Sequence, residues 1–457
     1  MEIIKELQYI VGSKLVTTEP SELYCYSSDA SQILGMPEYV VRPENTEQIS
    51  RILKLTNKHG IAVTPRGAGT GLAGGAVALS GGVVLDMSGM NRILEVDIDN
   101  LQVAVEPGVV HAKLNEALKP HGFFFPPDPG SSDMCTLGGL IANRGSGMRS
   151  VKYGTIKNYV LDLEVVMADG TVINTGSRTL KSSAGYDLTA LMVGSEGTLG
   201  VITKALMKIH PLPKSRIVLL ASFEDAEMAG RAVVKVVAGG VVPSACEILD
   251  RTTIEVLNAY DLRAALPDAE TILLFEVDGT ESGAQEEAEM VKSICRPFVS
   301  SIRIAADEKE IDEIWTARRL VGAAISRLDP QMTRVYVGED IGVPIKEIPN
   351  MLKRLRFISE ESGLKIMTYG HIGDGNLHTG MCIDVFDEEQ WKRLNRAADE
   401  IHRTALMLGG TVSAEHGIGS ARGEYMRLER GSALDVIAAV KHALDPKGIL
   451  NPGKLGI

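Results

Sequence analysis

An α+β fold in two parts is what the sequence predicts, and three observations carry that reading. Three glycine-rich clusters fall within residues 64–203, and strands alternate with helices from residue 216 onward. Between them, His210-Pro-Leu-Pro-Lys214 carries two prolines that end a strand and forbid a helix, which marks a boundary near 213. The later alternation fits helices layered on one antiparallel sheet.

Composition bounds the rest. At 457 residues, with 44% hydrophobic and 23% charged side chains, the chain reads as an ordinary globular protein able to bury a substantial core. A net charge of −12 argues against nucleic acid or anionic lipid as the main partner, while leaving room for a small anion held by local arginines. Cys25, Cys135, Cys246, Cys295 and Cys382 are isolated, which points to a reducing compartment with no disulfide framework and no cysteine-bound cluster. The opening Met1-Glu-Ile-Ile-Lys-Glu-Leu lacks the apolar core of a signal peptide, and no apolar run is long enough to span a bilayer. A cytoplasmic protein is expected, meeting a membrane only through a partner.

In the first part, Asn45-Thr46 caps a helix whose Ile49, Ile52 and Leu53 share a face, and Gly60 ends it. The buried strand Ile61-Ala62-Val63 then enters Thr64-Pro-Arg-Gly-Ala-Gly-Thr-Gly-Leu-Ala-Gly-Gly-Ala76. Free N–H groups in such a loop form a nest for phosphate oxygens, though the stretch by itself also reads as a long surface turn. It is neither Gly-x-Gly-x-x-Gly entering a helix nor a P-loop. Val83-Val84-Leu85 is a further strand, residues 92–107 alternate as a hairpin around Asp99-Asn100, and residues 111–119 are helical. A second glycine-rich region covers 126–154, residues 159–167 and 172–173 are strands, and a third cluster covers 194–203. Three such clusters are better explained by one long ligand needing backbone approach than by separate turns.

In the second part, strands are expected at 217–223, 245–249, 272–277, 302–305 and 334–337, with helices at 225–238, 281–294, 315–328 and 345–362. The chemistry concentrates in Tyr369-Gly-His371-Ile-Gly-Asp-Gly-Asn-Leu-His378. Gly373 and Gly375 forbid a helix, and an Asp374-Gly375 turn would set His371 opposite His378 in a hairpin, Cβ atoms roughly 5 Å apart. That spacing suits a pair of metal ligands, or simply two histidines at a polar hairpin. In Ala414-Glu415-His416-Gly417-Ile-Gly419 the carboxylate of Glu415 could complete a two-His-one-Glu set with open positions. His416, beside the metal but not on it, would then be a natural general base; a capping Glu and a surface His remain the alternative. Arg318 and Arg319 follow Trp315 in a largely apolar helix, where one could fork a carboxylate or both could be merely solvated.

Taken together, these residues resemble the FAD-linked oxidases of the vanillyl-alcohol-oxidase (PCMH) type, in particular the D-lactate, glycolate and D-2-hydroxyglutarate dehydrogenase group. The resemblance spans essentially the whole chain. It rests on Pro65-Arg66-Gly67-Ala68-Gly69-Thr70-Gly71-Leu72 as the pyrophosphate loop, on Pro127-Asp128-Pro-Gly-Ser131, and on Thr136-Leu-Gly138-Gly139. Gly194-Ser-Glu196-Gly197-Thr-Leu-Gly200-Val201-Ile202, Gly370-His-Ile-Gly-Asp-Gly-Asn-Leu-His, Glu415-His-Gly-Ile-Gly and Leu450-Asn-Pro-Gly-Lys complete it.

The resemblance implies a two-subdomain FAD-binding domain at 1–213, an α+β cap domain at 214–413, and a segment at 414–457 returning to the flavin domain. It implies that Asn143, Gly147, Tyr153, Gly154, Asn376 and Asn451 also lie along the FAD site. It further implies that His371, His378 and Glu415 hold a divalent metal (Zn, Fe or Mn), that His416 is the base and that Arg318 receives the substrate carboxylate. Thr70 stands where histidyl-linked members carry His, so noncovalent FAD is expected. Arg422 replaces the usual Lys after the Glu-His-Gly-Ile-Gly motif, and no lysine lies between Thr333 and Asp340, which disfavours a dicarboxylate substrate. A small D-2-hydroxyacid is thus the implied substrate. The implied acceptor is an electron-transferring flavoprotein, an iron–sulfur subunit or quinone, in a hetero- or homo-oligomer. A same-fold transferase of the alkyl-glycerone-phosphate synthase kind and a non-catalytic flavin subunit are the alternatives.

Overall fold

In the computed structural model, which describes residues 2–261, 266–305 and 307–457, the chain divides into two units. The first comprises 1–146, 154–212 and 415–457, the second 147–153 and 213–414.

The first unit carries two larger sheets and a two-stranded pair, Phe123–Phe124 with His210–Pro211. One has the order Val16–Thr17, Tyr39–Val41, Val83–Asp86, Val63–Arg66, and its last three strands run parallel. Parallel strands need a crossover, and the helix Thr46–His59 supplies one from Tyr39–Val41 to Val63–Arg66, the two strands that flank Val83–Asp86. The Asn45 side chain accepts from the Gln48 N–H and so caps this helix, and Gly60 closes it at φ 66°. Its buried Ile49, Ile52 and Leu53 pack against Val63, Val83 and Leu85. The chain's last segment joins the same core through Ile449 and Leu450. There the Val63 N–H donates to Ile449 O and the Asn451 N–H donates to Val63 O, both at 2.8 Å.

The other larger sheet of this unit is antiparallel, in the order Ile93–Asp97, Gln102–Val105, Val201–Lys208, Val160–Val166, Val172–Asn174. Val103, Val105, Leu163, Val165 and Met207 bury one face against Leu137 and Ile141 of the short helix Leu137–Ala142. Three glycine-rich segments thus leave from sheet ends or a helix start, where the backbone has no ladder to complete.

The second unit is built on an eight-stranded sheet. Its path is Ser301–Ile304, Ser215–Phe223, Thr271–Gly279, Ala245–Asp250, Met367–Gly370, Asn376–Ile383, Thr333–Val335, with Asp340–Gly342 also pairing Asn376–Ile383. The pairings are antiparallel throughout. Both faces are covered by helices. Leu219, Phe223 and Phe275 meet Val233, Val291 and Leu352 on one side, while Val218, Leu220 and Leu274 meet Ile254, Ile314 and Val321 on the other. Continuous apolar runs such as Ile272-Leu-Leu-Phe275 follow from burial on both faces, where simple alternation would have marked one wet face.

The short stretch 147–153 is tied into this unit by charge. Arg149 Nη1 donates to Glu276 Oε1 at 2.6 Å, and Lys152 Nζ and Tyr153 Oη both reach the Asp278 carboxylate at 2.7 Å.

Candidate active site

In the first unit the glycine loop leaves the strand Val63–Arg66 and is approached closely on several sides. A Cβ on Gly67 would collide with Thr136 Oγ1, and one on Gly419 would collide with Ala73 O. Thr136 is itself the N-cap of the helix Leu137–Ala142, which carries Gly138 and Gly139, and Asn143 is its C-cap. Gly138 lies against Pro107 and Gly200 against Val165, so these two glycines also serve element packing. Ser420 N–H donates to Ala73 O at 3.0 Å, which fastens the Glu415-to-Gly419 motif to the loop.

Glu196 organises this region. Its buried carboxylate accepts the N–H groups of Ile418 and Gly419, both at 2.7 Å. Burial pushes this carboxyl up, against the opposing pull of those two N–H groups, Arg422 and Lys454. Asn451 Nδ2 donates to Glu196 O at 2.7 Å and to Gly75 O at 2.9 Å. Lys454, only 1% exposed, donates to Val77 O at 2.9 Å; burial lowers its pKa to about 8, opposed by Asp29 and Glu196. Arg66 folds back so that its Nη1 donates to Ala76 O at 3.3 Å.

Several polar atoms here are buried and unspent. Arg422 is 1% exposed; its Nη1 donates to Gly417 O at 3.0 Å, but Nε and Nη2 meet no acceptor among the described residues. Ser420 Oγ, Asp29 Oδ2 and Asn451 Oδ1 are likewise buried without a partner among the described residues. Leaving such groups unsatisfied costs free energy, so they call for a ligand rich in acceptors and donors. FAD fits: its phosphates and ring carbonyls accept, and its ribityl hydroxyls and ring N–H donate. Pro65 to Leu72, Pro127, Asp128, Ser131, Gly154, Glu196, Gly197, Val201 and Ile202 all belong to this unit, whereas Gly147, Tyr153 and Asn376 belong to the second. Tyr153 spends its hydroxyl on Asp278. Glu415 and His416 also lie in the first unit; Ser146 Oγ donates to Glu415 Oε2 at 3.0 Å, and His416 Nε2 is 3.7 Å from Glu415 Oε1.

In the second unit a polar cluster sits where the sheet's apolar face ends. The expected two-residue turn is not what forms. A 3-10 turn at Ile372–Asp374 closes the hairpin, Gly375 takes φ 86°, and the residue opposite His378 is Tyr369. His371 is therefore off the ladder, because the longer turn uses it as the cap. The two histidines still meet, with ring centroids 5.2 Å apart and nearly perpendicular planes.

Glu247, fully buried on the strand Ala245–Asp250, holds two of the expected site residues. His371 Nδ1 lies 2.6 Å from Glu247 Oε1, and Arg318 Nε and Nη2 donate to Glu247 Oε2 at 2.7 and 2.5 Å. Burial pushes the Glu247 carboxyl up, but the Arg318 guanidinium and His371 outweigh it and hold the group below its ordinary value. Arg318 is thus a buried, carboxylate-bound cation and not a solvated one. Trp315, one turn earlier in the helix Glu308–Arg319, donates its Nε1 to Glu276 Oε2 at 3.0 Å and fixes the helix on the sheet. Asn376 Nδ2 donates to Asp340 Oδ1 at 2.8 Å and to Ile341 O at 2.9 Å, and its Oδ1 has no donor among the described residues. Arg334, Glu339 and Tyr369 form a second buried ion-pair group alongside, through Arg334 Nη2. Sequence reading passed over Glu247, Glu276, Glu339 and Asp340. The available signal was a lone acid inside an apolar strand, since Glu and Asp are almost never fully buried unless paired.

Residues 37–176 match the profile of an FAD binding domain, and residues 212–455 match that of the C-terminal domain of FAD linked oxidases. The glycolate oxidase subunit GlcD of Bacillus subtilis (strain 168) is 40% identical over 433 residues, covering 94% of this chain and 91% of that protein. The chain belongs to the FAD-linked oxidase family. This FAD-linked oxidase is also 35% identical to the mitochondrial D-lactate dehydrogenase [cytochrome] of Arabidopsis thaliana, over 99% of this chain and 80% of the relative. Its fold is that of p-cresol methylhydroxylase with substrate bound, at a TM-score of 0.83 and 18% identity, over 100% of this chain and 96% of that one. The FAD-linked oxidase is accordingly a flavoprotein oxidoreductase of α+β architecture. Among its described residues, no helix is long and apolar enough to cross a membrane.

Proposed function

We propose that the protein oxidises a small D-2-hydroxyacid, of the D-lactate or glycolate kind, to the 2-oxoacid. The observation that carries this reading is the buried cluster of the second unit, where a guanidinium for a carboxylate and a pair of imidazoles for a metal stand on adjoining side chains. Similarity to a glycolate oxidase subunit and to a D-lactate dehydrogenase supports it.

In this reading Arg318 pairs with the substrate carboxylate and so orients C2, a gain in positioning. His371, His378 and Glu415 would hold a divalent ion, Zn, Fe or Mn, which would supply Lewis acidity and lower the pKa of the 2-hydroxyl. His416 takes the hydroxyl proton as the C2–H bond breaks. Bound FAD supplies the acceptor for the hydride leaving C2. Asn376, with one amide oxygen still unspent, would offer it to the flavin or the substrate. The absence of a lysine between Thr333 and Asp340, and the neutralisation of Arg334 by Glu339, favour a monocarboxylate. FAD is held without a covalent tether, since Thr70 offers no imidazole. Electrons then pass to a protein or quinone acceptor, such as an electron-transferring flavoprotein or an iron–sulfur subunit.

Turnover of D-lactate, L-lactate, glycolate and D-2-hydroxyglutarate with a redox dye, with the 2-oxoacid identified chemically, tests this directly. Product from D-lactate or glycolate is expected. Formation of no 2-oxoacid from any of the four would set the reading aside.

A further inference from the structure

We propose that Glu247 is the positioning residue of this site, fixing the ligand histidine and aiming the substrate arginine from one carboxylate. The proposal rests on the reading of His371 as a metal ligand and Arg318 as the carboxylate partner, and it adds a residue that neither assignment includes.

The strand explains why Glu247 can do this. Ala245–Asp250 lies inside the sheet, paired on one side with Thr271–Gly279 and on the other with Met367–Gly370. Its backbone is therefore fixed by ladders on both edges. Alternation places Ala245, Glu247 and Leu249 on one face, the face on which Ile314 and Trp315 of the Arg318 helix pack. The acid thus points under that helix, at 0% exposure, with one oxygen for each partner. Glu276, on the neighbouring strand and the same face, holds the same helix through Trp315 Nε1 and is tied to Arg149. The two acids divide the work: Glu276 seats the helix, and Glu247 sets the two side chains that meet ligand.

The chemistry follows from the atoms used. A carboxylate on Nδ1 draws the imidazole proton there, which leaves Nε2 as the ligating atom and fixes the ring's rotation. On the other side, Glu247 takes the Nε–Nη2 edge of Arg318, so that Nη1 is the nitrogen left for a substrate carboxylate. The guanidinium so held cannot swing, and its spacing from the His371 ring is set by a single rigid group. A 2-hydroxyacid needs just this pairing, since its carboxylate and its hydroxyl are both attached to C2.

Glu247→Gln, which keeps size and removes charge, tests the role in the FAD-loaded enzyme. The metal affinity is read by competition for Zn2+ or Mn2+ with a chromogenic chelator, alongside flavin content, thermal midpoint, and the separate KM and kcat for the best hydroxyacid. Metal should bind about 10–100-fold more weakly, as expected when an outer partner of a ligand histidine is lost, and KM should rise. Glu276→Gln, which touches neither His371 nor Arg318, should leave metal affinity unchanged, so a loss of general packing is told apart. If Glu247→Gln fails to load FAD, Glu247→Asp is read in the same way, since it keeps the charge and withdraws the oxygens by one methylene. Wild-type metal affinity in the variant that loads FAD, with His371→Ala losing the metal, would overturn the role of Glu247 alone. A wild-type enzyme that binds neither ion would instead bring down the metal reading of the site, and Glu247's role with it.

Discussion

Asn451 donates its side-chain amide to the main-chain oxygen of Glu196 at 2.7 Å, and both residues sit in the left-handed region, at φ 42° and 51°. Backbone of this kind in residues other than glycine costs on the order of 1–3 kcal/mol each and persists where the surroundings over-determine it. Here a tail residue and a loop residue 255 positions apart are held together, and Asn451 also donates to the glycine loop at Gly75 O.

Asn451→Ala should therefore lower the thermal stability of the protein and loosen FAD. It removes two buried hydrogen bonds and places a residue that tolerates the left-handed region poorly, for a combined cost of about 2–4 kcal/mol. Thermal unfolding and flavin release on dilution check this. A variant with unchanged midpoint and unchanged FAD retention would show that the contact is incidental.

Arg318→Met should raise KM for the hydroxyacid about 10–100-fold, as for the loss of one charge-assisted hydrogen bond of roughly 1.5–3 kcal/mol. Arg318→Lys should not restore it, because an ammonium cannot span Glu247 and a substrate carboxylate as the planar fork does. Steady-state kinetics with a dye acceptor reads both.

His416→Asn should slow flavin reduction about 100-fold or more, the usual weight of a general base, while FAD and metal content stay at wild-type values. Near-normal reduction by D-lactate in this variant would remove His416 from the chemistry.

Lys454 gives a pH signature. Its folded pKa, about 8, lies below the ordinary 10.5 because of burial, with Asp29 and Glu196 opposing. Below about 8 both folded and unfolded chains carry the proton, so the fold bears the cost of a buried ammonium. Between about 8 and 10.5 the unfolded chain keeps a proton that the fold has released, and stability rises with pH across that window. Relative to Lys454→Met, FAD-free wild-type protein should gain stability between about pH 7.5 and 10.5. Denaturant titrations at the two ends of the range check the sign.

Much of this architecture was legible in the sequence. Asn45 and Gly60 bracket the first long helix by local chemistry alone. In the second unit the long elements Ser215–Phe223, Ala226–Ala238, Thr271–Gly279 and Glu281–Cys295 read from periodicity, whereas the helix expected at 315–328 is two, Glu308–Arg319 and Val321–Ser326. That both faces of its sheet are covered was not read, although runs such as Ile272-Leu-Leu-Phe275 carried the signal. The register of the His371 hairpin escaped because the turn's 3-10 geometry depends on Gly375 at φ 86°, and a two-residue turn fits the same letters. Glu247 escaped for a different reason. A lone Glu between Cys246 and Ile248 declares that a partner exists but cannot name one, and its partners lie 71 and 124 positions away.

Anaerobic mixing of the oxidised enzyme with single 2-hydroxyacids, followed by flavin absorbance, tests the central claim most directly. Bleaching by D-lactate or glycolate, with L-lactate and D-2-hydroxyglutarate slower by at least tenfold, is the expected result. A flavin that stays oxidised with every 2-hydroxyacid, while remaining reducible by dithionite, would contradict it.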